Sequence, residues 1–162
     1  MAEWCKPGQL PKGRIKRKRS RRKVMATVFW DSQGVILVDC LDSGETMNTH
    51  RFCTSLLKLR DRLRQLRPET FASTLLLYDN APPHRASKGF AQELGFEVLP
   101  HPAYSPDLSP CDFYLFPALK REMKGEEFDT DEHVARFAYE WLDAVADVKE
   151  NFYRDGMMKL IR

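Results

Sequence analysis

Two aspartates are the residues of this chain best placed to do chemistry. Asp79 comes directly after the apolar run Thr74–Tyr78, and Asp112 stands in the first turn of a helix opened by Pro110. A charged residue that follows a buried strand lies at the carboxyl edge of a sheet, where α/β proteins bind their ligands. Two carboxylates without a histidine or cysteine partner suit a hard cation such as Mg²⁺, the usual metal of two-metal phosphoryl transfer.

Each candidate also has an alternative explanation. Asp79 could cap the helix that follows it, and Asp107 could be the functional acid, or it and Asp112 could both be capping residues. His84 could orient water or contact a phosphate, whereas His101 is more typical of a structural histidine. The sequence contains no nucleophile elbow, zinc-binding helix motif or glycine-rich phosphate loop, which argues against an α/β hydrolase, a zinc protease and a kinase.

Charge is distributed very unevenly along the 162 residues, although their formal net charge is only +3. Residues 1–23 carry ten basic groups and one acidic group, a net charge of +9. Residues 24–162 carry 16 basic and 22 acidic groups, a net charge of −6. The basic cluster consists of Lys12, Arg14, Lys16, Arg17, Lys18, Arg19, Arg21, Arg22 and Lys23. We expect it to bind nucleic acid through salt-sensitive phosphate contacts and to favour a nuclear location. A solvated tail without a partner is the alternative.

Composition favours a folded intracellular domain over membrane and secreted classes. Hydrophobic residues make up 43% of the chain and charged residues 30%, which is typical of a folded protein. No apolar run approaches the roughly 18 residues that span a bilayer, and the N-terminus has no signal-peptide pattern. The four cysteines have no metal-binding spacing, so reduced thiols are expected.

Apolar patterns predict the elements that position these residues. Val24–Trp30 and Val35–Leu41 flank a turn that contains glycine, which predicts a β-hairpin. Leucines and a phenylalanine then recur at steps of three and four, which predicts a helix from a cap at Asn48 or Thr46 to about Leu66. The basic side of this helix could meet phosphate, but a solvated face is the favoured interpretation.

The second half of the chain predicts two short strands and several helices. Thr74–Tyr78 is typical of a central strand buried on both faces, and Phe96–Leu99 of another short strand. Asp129 and Glu132 are placed for a capping box at the start of a helix. Helices are expected over residues 83–94, 110–123, 131–146 and 149–161. The order of hairpin, helix, strand, helix, strand and helices predicts an α/β fold.

Two long motifs resemble the catalytic core of mariner transposases. YDNAPPH at Tyr78–His84 is similar to the family's HDNAxxH, and Glu97–Phe116 is similar to VLPHPPYSPDLxPxDYxLF. Val24–Asn48 resembles VWWDxxGVIxxELLxPGETxN, and PGQ at Pro7–Gln9 and FYxxGMxKL at Phe152–Leu160 also match. The resemblance covers nearly the whole chain in consistent order.

This resemblance implies an α/β, ribonuclease H-like fold, with a mixed sheet flanked by helices. An acidic triad of such enzymes holds two Mg²⁺ or Mn²⁺ ions for DNA strand cleavage and joining. By motif, Asp79 is the second acid and Asp112 the third, and Asp107 becomes a loop residue. The implied partner is DNA, transposon ends in the family, and a second copy of the chain is a further candidate. We expect a basic extended segment over residues 1–22 and the catalytic domain over residues 23–162.

Departures from the family pattern bear on activity. The family's first acid lies in a GDExW-like segment ahead of PGQ, and only six residues precede Pro7 here, so we expect the first strand and its acid to be absent. Tyr78 replaces the family's usual histidine, the interval between Asp79 and Asp112 is slightly short, and the helix-turn-helix region is missing. We therefore expect a transposase fragment with impaired catalysis. The alternative is a non-catalytic nucleic-acid-binding or dimerisation module derived from a transposase.

Overall fold

The computed structural model describes residues 24–161. The basic side chains of residues 12–23, and the extended segment expected over residues 1–22, lie outside this range. The described part begins with the predicted hairpin, in which β1 (Ala26–Asp31) pairs antiparallel with β2 (Gly34–Cys40). Asp31 stabilises the turn, because its Oδ1 accepts hydrogen bonds from the backbone N–H groups of Gln33 and Gly34 at 2.8 and 3.0 Å.

Helix α1 (Thr49–Leu66) has the bounds that its pattern predicted. Asn48 is the N-cap, since its side-chain oxygen accepts a hydrogen bond from the backbone N–H of Arg51 at 2.9 Å. Four of the five apolar residues predicted on one face are buried, namely Phe52, Leu56, Leu59 and Leu63, whereas Leu66 at the end of the helix is 37% exposed. The predicted amphipathic face is therefore the one that packs into the core.

The basic side of α1 is largely engaged within the molecule. Arg64 lies over the ring of Phe71, with its guanidinium carbon 4.9 Å from the ring centroid. Three further cations form ion pairs of 2.9 to 3.2 Å with carboxylates: Lys58 with Asp39, Arg60 with Asp61, and Arg67 with Asp31. These contacts favour the solvated-face interpretation over a phosphate-binding surface.

The second sheet is much smaller than the sequence predicted. Strand β3 (Leu75–Leu76) pairs parallel with β4 (Glu97–Val98) over two residues each. The expectation of a strand over Thr74–Tyr78 buried on both faces is wrong, because Leu75 is 55% exposed although Leu76 is buried. The reason is that, within residues 24–161, β3 has a strand neighbour on one side only. The described strands thus form two two-stranded sheets in place of one continuous mixed sheet.

The next two helical segments differ locally from the prediction. The helix expected over residues 83–94 is divided at Ser87 into α2 (Pro82–Ala86) and α3 (Lys88–Glu93). The segment 110–123 opens with a π-helical turn, residues 111–115, and continues as α4 (Phe116–Glu122). Pro117 accounts for this turn, because proline has no N–H to donate to the carbonyl four residues earlier.

Helices α5 (Asp131–Val148) and α6 (Phe152–Met158) complete the described chain. The predicted capping box at Asp129 is wrong by one residue, because the N-cap of α5 is Thr130, whose hydroxyl accepts from the backbone N–H of His133 at 3.1 Å. Glu132 then stands one position too early to complete the box. None of the helices in residues 24–161 is long and apolar enough to cross a bilayer.

The hairpin lies between two helical layers. Phe29 of β1 belongs to an apolar cluster with α1, and this cluster also includes Leu76 and Phe96 from the region of the second sheet. Trp30, the next residue, belongs to a second cluster on the opposite face, formed with residues of α4, α5 and α6. Because successive side chains of a strand point to opposite faces, β1 buries one face against each layer.

Asp39 is a buried carboxylate that joins β2 to α1. Its oxygens accept hydrogen bonds from Ser55 Oγ at 2.5 Å, Lys58 Nζ at 2.9 Å and Arg51 Nη2 at 3.1 Å. Burial raises the pKa of Asp39, but the hydrogen bonds from Lys58 and Ser55 and the charges of Lys58 and Arg51 outweigh it and hold the pKa below its usual value.

Replacing Asp39 with Asn is expected to lower the free energy of unfolding by about 1–3 kcal/mol near neutral pH, because Lys58 and Arg51 lose a charged acceptor. Since the folded-state pKa is lowered, this contribution is present above the unfolded pKa of the carboxyl and is lost as the pH falls through the folded pKa. Urea unfolding near neutral pH and at about pH 3 measures it, with the exposed Asp42→Asn as control. An Asp39→Asn effect of equal size at both pH values would contradict this role.

Gly156 of α6 occupies a position with no room for a side chain. A Cβ atom there would lie 2.6 Å from Tyr114 Cδ1 and 2.8 Å from Trp30 Cη2. Gly156→Ala should therefore destabilise the protein by about 1–3 kcal/mol. Gly89→Ala is the matched control, because a Cβ at that position of α3 meets nothing within 4 Å and should stabilise the helix by up to ~1 kcal/mol. Thermal unfolding should shift in opposite directions for the two variants, and equal shifts would contradict the packing.

Candidate metal centre

Asp79 follows β3 and is held by two neighbours. Its Oδ1 accepts a hydrogen bond from the backbone N–H of Ala81 at 3.1 Å and lies 2.5 Å from His84 Nδ1. Ala81, not Asp79, is the N-cap of α2, so the carboxylate braces the loop ahead of the helix without capping it. Its side chain is 49% exposed, and within residues 24–161 its Oδ2 has no hydrogen-bond partner. This oxygen is therefore free to bind a ligand.

His84 orients that carboxylate from an aromatic surface. The His84 ring centroid lies 4.1 Å from that of Phe52. The Tyr78 and His84 rings are T-shaped, with their centroids 5.6 Å apart. Phe52 is itself buried on α1 and stacks on Phe29 of β1, with centroids 6.3 Å apart. A ring held in this way restricts the carboxylate that it contacts, as the outer partners of metal ligands generally do.

Asp112 lies in the π-helical turn, and the other face of β1 supports it. Its backbone N–H donates to the carbonyl of Ser109 at 2.8 Å, and its exposed carboxylate has no hydrogen-bond partner among the residues that the structure describes. The preceding residue, Cys111, accepts a hydrogen bond at Sγ from Trp30 Nε1 at 3.3 Å. Trp30 therefore fixes the start of the turn that carries Asp112.

The charges of both candidate acids affect the pKa of the Cys111 thiol. Burial is the largest cause that raises the pKa of Cys111, and the charges of Asp112 and Asp79 raise it further, against a hydrogen bond from Trp30 that lowers it. Asp79 and Asp112, which are far apart in the sequence, thus both contribute to the electrostatic environment of this thiol.

The other candidates lie in the loop between them. Asp107 is exposed on a single 3₁₀ turn, Pro106–Leu108, as expected of a loop residue. His101 Nδ1 lies 2.8 Å from the carbonyl oxygen of its neighbour Pro102, and its Nε2 is buried without a hydrogen-bond partner among the described residues. Sequence reasoning missed the contact between Trp30 and Cys111, because no spacing rule joins a hairpin residue to a turn 81 positions later.

The donor set fits a hard divalent cation in part. Asp79 and Asp112 offer carboxylate oxygens, the ligands that Mg²⁺ and Mn²⁺ prefer, and the raised pKa of Cys111 keeps its sulfur protonated and a poor ligand. Within residues 24–161, no group of three or more His, Cys, Asp or Glu side chains is arranged to hold a metal ion. A complete coordination sphere therefore needs at least one further oxygen donor.

Comparisons of the sequence identify relatives of this arrangement. A family model described as Transposase (partial DDE domain) matches residues 1–73. The chain is 39% identical over 162 residues to the Mariner Mos1 transposase of Drosophila mauritiana, covering 97% of this chain and 46% of that protein. It is 31% identical over 164 residues to the human histone-lysine N-methyltransferase SETMAR, covering 99% of this chain and 24% of that protein. The chain thus spans about half the length of the first relative and a quarter of the second.

Solved structures give the same result. The Mos1 transposase catalytic domain with raltegravir and Mg superposes with a TM-score of 0.76 at 39% identity, covering 85% of this chain and 69% of that one. The Mos1 paired-end complex with the left transposon end superposes with a TM-score of 0.83 at 37% identity, covering 99% of this chain and 47% of that one. The mixed α/β, ribonuclease H-like architecture is confirmed, and with it the class of DDE transposase catalytic domains. The chain belongs to the mariner transposase family and corresponds to part of a Mos1-type catalytic domain.

The proximity of both acids to Cys111 can be measured without any metal. Asp79→Asn and Asp112→Asn should each lower the pKa of Cys111 and speed its alkylation by iodoacetamide by about two- to fivefold, since a nearby surface charge supplies of the order of 1 kcal/mol. Mass spectrometry of the Cys111 peptide reports the rate, and Asp107→Asn is the matched control. Rates that change equally in all three variants would contradict the convergence of the two acids.

Proposed function

We propose that this chain is the DNA-processing core of a mariner-type transposase, in which Asp79 and Asp112 hold Mg²⁺ or Mn²⁺ for DNA strand cleavage and joining. The observation that carries this proposal is the support of both acids by adjacent residues of β1. Phe29 reaches Asp79 through Phe52 and His84, and Trp30 donates a hydrogen bond to Cys111, the residue before Asp112. The Mos1 catalytic domain solved with Mg and with Mn supports the choice of metal. The Mos1 complex with a transposon end supports DNA as the partner.

In this proposal each side chain has a distinct task. A divalent ion at this position would polarise a phosphoryl oxygen and lower the pKa of an attacking water. Asp79 would hold it through Oδ2, because Oδ1 is already held by Ala81 and His84. Asp112 would hold it from the turn whose start is fixed by the hydrogen bond from Trp30 to Cys111. His84 is a positioning residue for Asp79, and its remaining ring nitrogen, Nε2, is available to a phosphate oxygen.

DNA contact in this proposal falls mainly to the basic residues of the segment 12–23. Their charge supplies the sequence-independent part of the affinity, and the release of counterions makes it weaken with salt. The same cluster is the basis for proposing a nuclear location. A second copy of the chain remains a candidate partner.

We further propose that the first acid of the triad belongs to a first strand outside residues 24–161, and that residues 24–161 by themselves support little or no strand transfer. Two-metal catalysis depends on the alignment of both ions with the reacting oxygens, and the loss of one ligand disturbs that alignment. The second candidate function, a non-catalytic DNA-binding or dimerisation module, is supported by the lack of a three-ligand cluster within residues 24–161.

A nicking assay on supercoiled plasmid tests this proposal. In Mg²⁺ the wild-type chain should nick at least ~100-fold more slowly than Mos1 transposase assayed in parallel, because residues 24–161 offer no group of three ligands for the metal. Any residual Mg²⁺-dependent nicking should disappear in Asp79→Ala and persist in Asp107→Ala. Robust nicking by the wild-type chain that is lost in Asp79→Ala would overturn the impairment, and nicking that survives in Asp79→Ala would overturn the catalytic role of Asp79.

A further inference from the structure

The outer side of α2 and α3 carries two cations next to the candidate metal centre. The inner side faces α1, because the His84 ring lies 4.1 Å from that of Phe52 and Ser87 is only 1% exposed. Arg85 and Lys88 each come one position after one of these inward-facing residues, and both are exposed. Since a helical residue lies about 100° around the axis from the one before it, both cations project from the same flank.

Neither of these cations is engaged within the described part of the molecule. Arg85 and Lys88 form no ion pair with a carboxylate of residues 24–161, and neither lies over an aromatic ring of that range. On α1, in contrast, Lys58, Arg60 and Arg67 are all paired with carboxylates. The charges of Arg85 and Lys88 are therefore available to an anionic partner.

The charge of this segment changes sign along its length. Arg85 immediately follows His84, whose ring contacts the Asp79 carboxylate, so the cations lie at the end next to the candidate metal centre. Glu93 at the end of α3 and Glu97 at the start of β4 are exposed at the opposite end. A polyanion is therefore attracted to the end beside Asp79 and repelled from the other.

We propose that Arg85 and Lys88 bind phosphates of duplex DNA and hold its backbone beside Asp79, a step that rests on the proposed function. Contacts to phosphates fix the register and orientation of a protein on the duplex and carry no sequence information. Arg85 can bind one phosphate through two parallel hydrogen bonds, and Lys88 supplies a point charge for another. The two cations therefore position the strand at the metal centre, whereas the segment 12–23 supplies most of the affinity.

Binding of a short DNA duplex to the full 162-residue chain, measured in EDTA by fluorescence anisotropy, tests this surface without any metal. The double variant Arg85→Gln and Lys88→Gln should bind about 10-fold more weakly at roughly 50 mM salt. The slope of log affinity against log salt should become less steep by about 2, since each phosphate contact contributes about 0.9. The double variant Arg85→Lys and Lys88→Arg, which keeps both charges, should retain the wild-type slope.

Lys120 and Lys124 provide the matched control, because both are exposed and are sequence neighbours of Glu122, Glu126 and Glu127. Replacing both lysines with Gln removes the same charge from an acidic stretch and should leave the slope unchanged. Equal losses of affinity and slope in the two glutamine double variants would show an effect of net charge alone and would overturn the surface.

Lysine acetylation, read peptide by peptide by mass spectrometry, locates the contact and separates it from the metal site. With saturating duplex in EDTA, Lys88 should react at least ~5-fold more slowly because its ammonium is held on a phosphate, and Lys124 should react at an unchanged rate. If Lys88 is protected but nicking survives in Asp79→Ala, the DNA surface stands and the metal role of Asp79 is overturned. If nicking depends on Asp79 and Lys88 is not protected, the DNA surface alone is overturned.

Discussion

The packing of Phe29 and Trp30 against opposite helical layers holds the loops of both candidate acids in place. They are neighbours on β1, so their side chains leave the strand on opposite faces. Phe29 stacks on Phe52, which packs against the His84 ring that contacts Asp79. Trp30 donates to Cys111, the residue before Asp112. One dipeptide of the hairpin thus positions both acids through two separate chains of contact, one in each helical layer.

That arrangement explains how the hairpin supports both carboxylates although the strands of residues 24–161 do not form a continuous sheet. The acids sit on loops, but each loop is fixed to a buried aromatic side chain of the hairpin or of α1. Loops supported by a rigid scaffold are the usual location of binding residues. A cavity separates β1 from β3, and within residues 24–161 no strand pairs with both across it. The same gap accounts for the short β3.

Local signals in the sequence were sufficient for much of the fold. The hairpin and α1 were predictable because their turn, their cap at Asn48 and their apolar periodicity act within a few residues. Asp79 and Asp112 were recognisable as candidate metal-binding acids, because Asp79 follows a strand and Asp112 stands in a first helical turn. The extent of β3 was not predictable, because the length of a strand depends on neighbours that the run Thr74–Tyr78 does not encode. The Asp39 network and the contact between Trp30 and Cys111 join distant segments, and periodicity carries no information about such pairs.

Asp79 and Asp112 are proposed to share one divalent cation site. Anomalous diffraction from crystals of the full chain grown with MnCl₂ locates manganese independently of any assay of activity. An anomalous peak is expected within bonding distance of carboxylate oxygens of both Asp79 and Asp112, and it should disappear in Asp79→Asn. A peak bonded to only one of the two carboxylates, or manganese bound elsewhere while both carboxylates remain unliganded, would rule out the shared site.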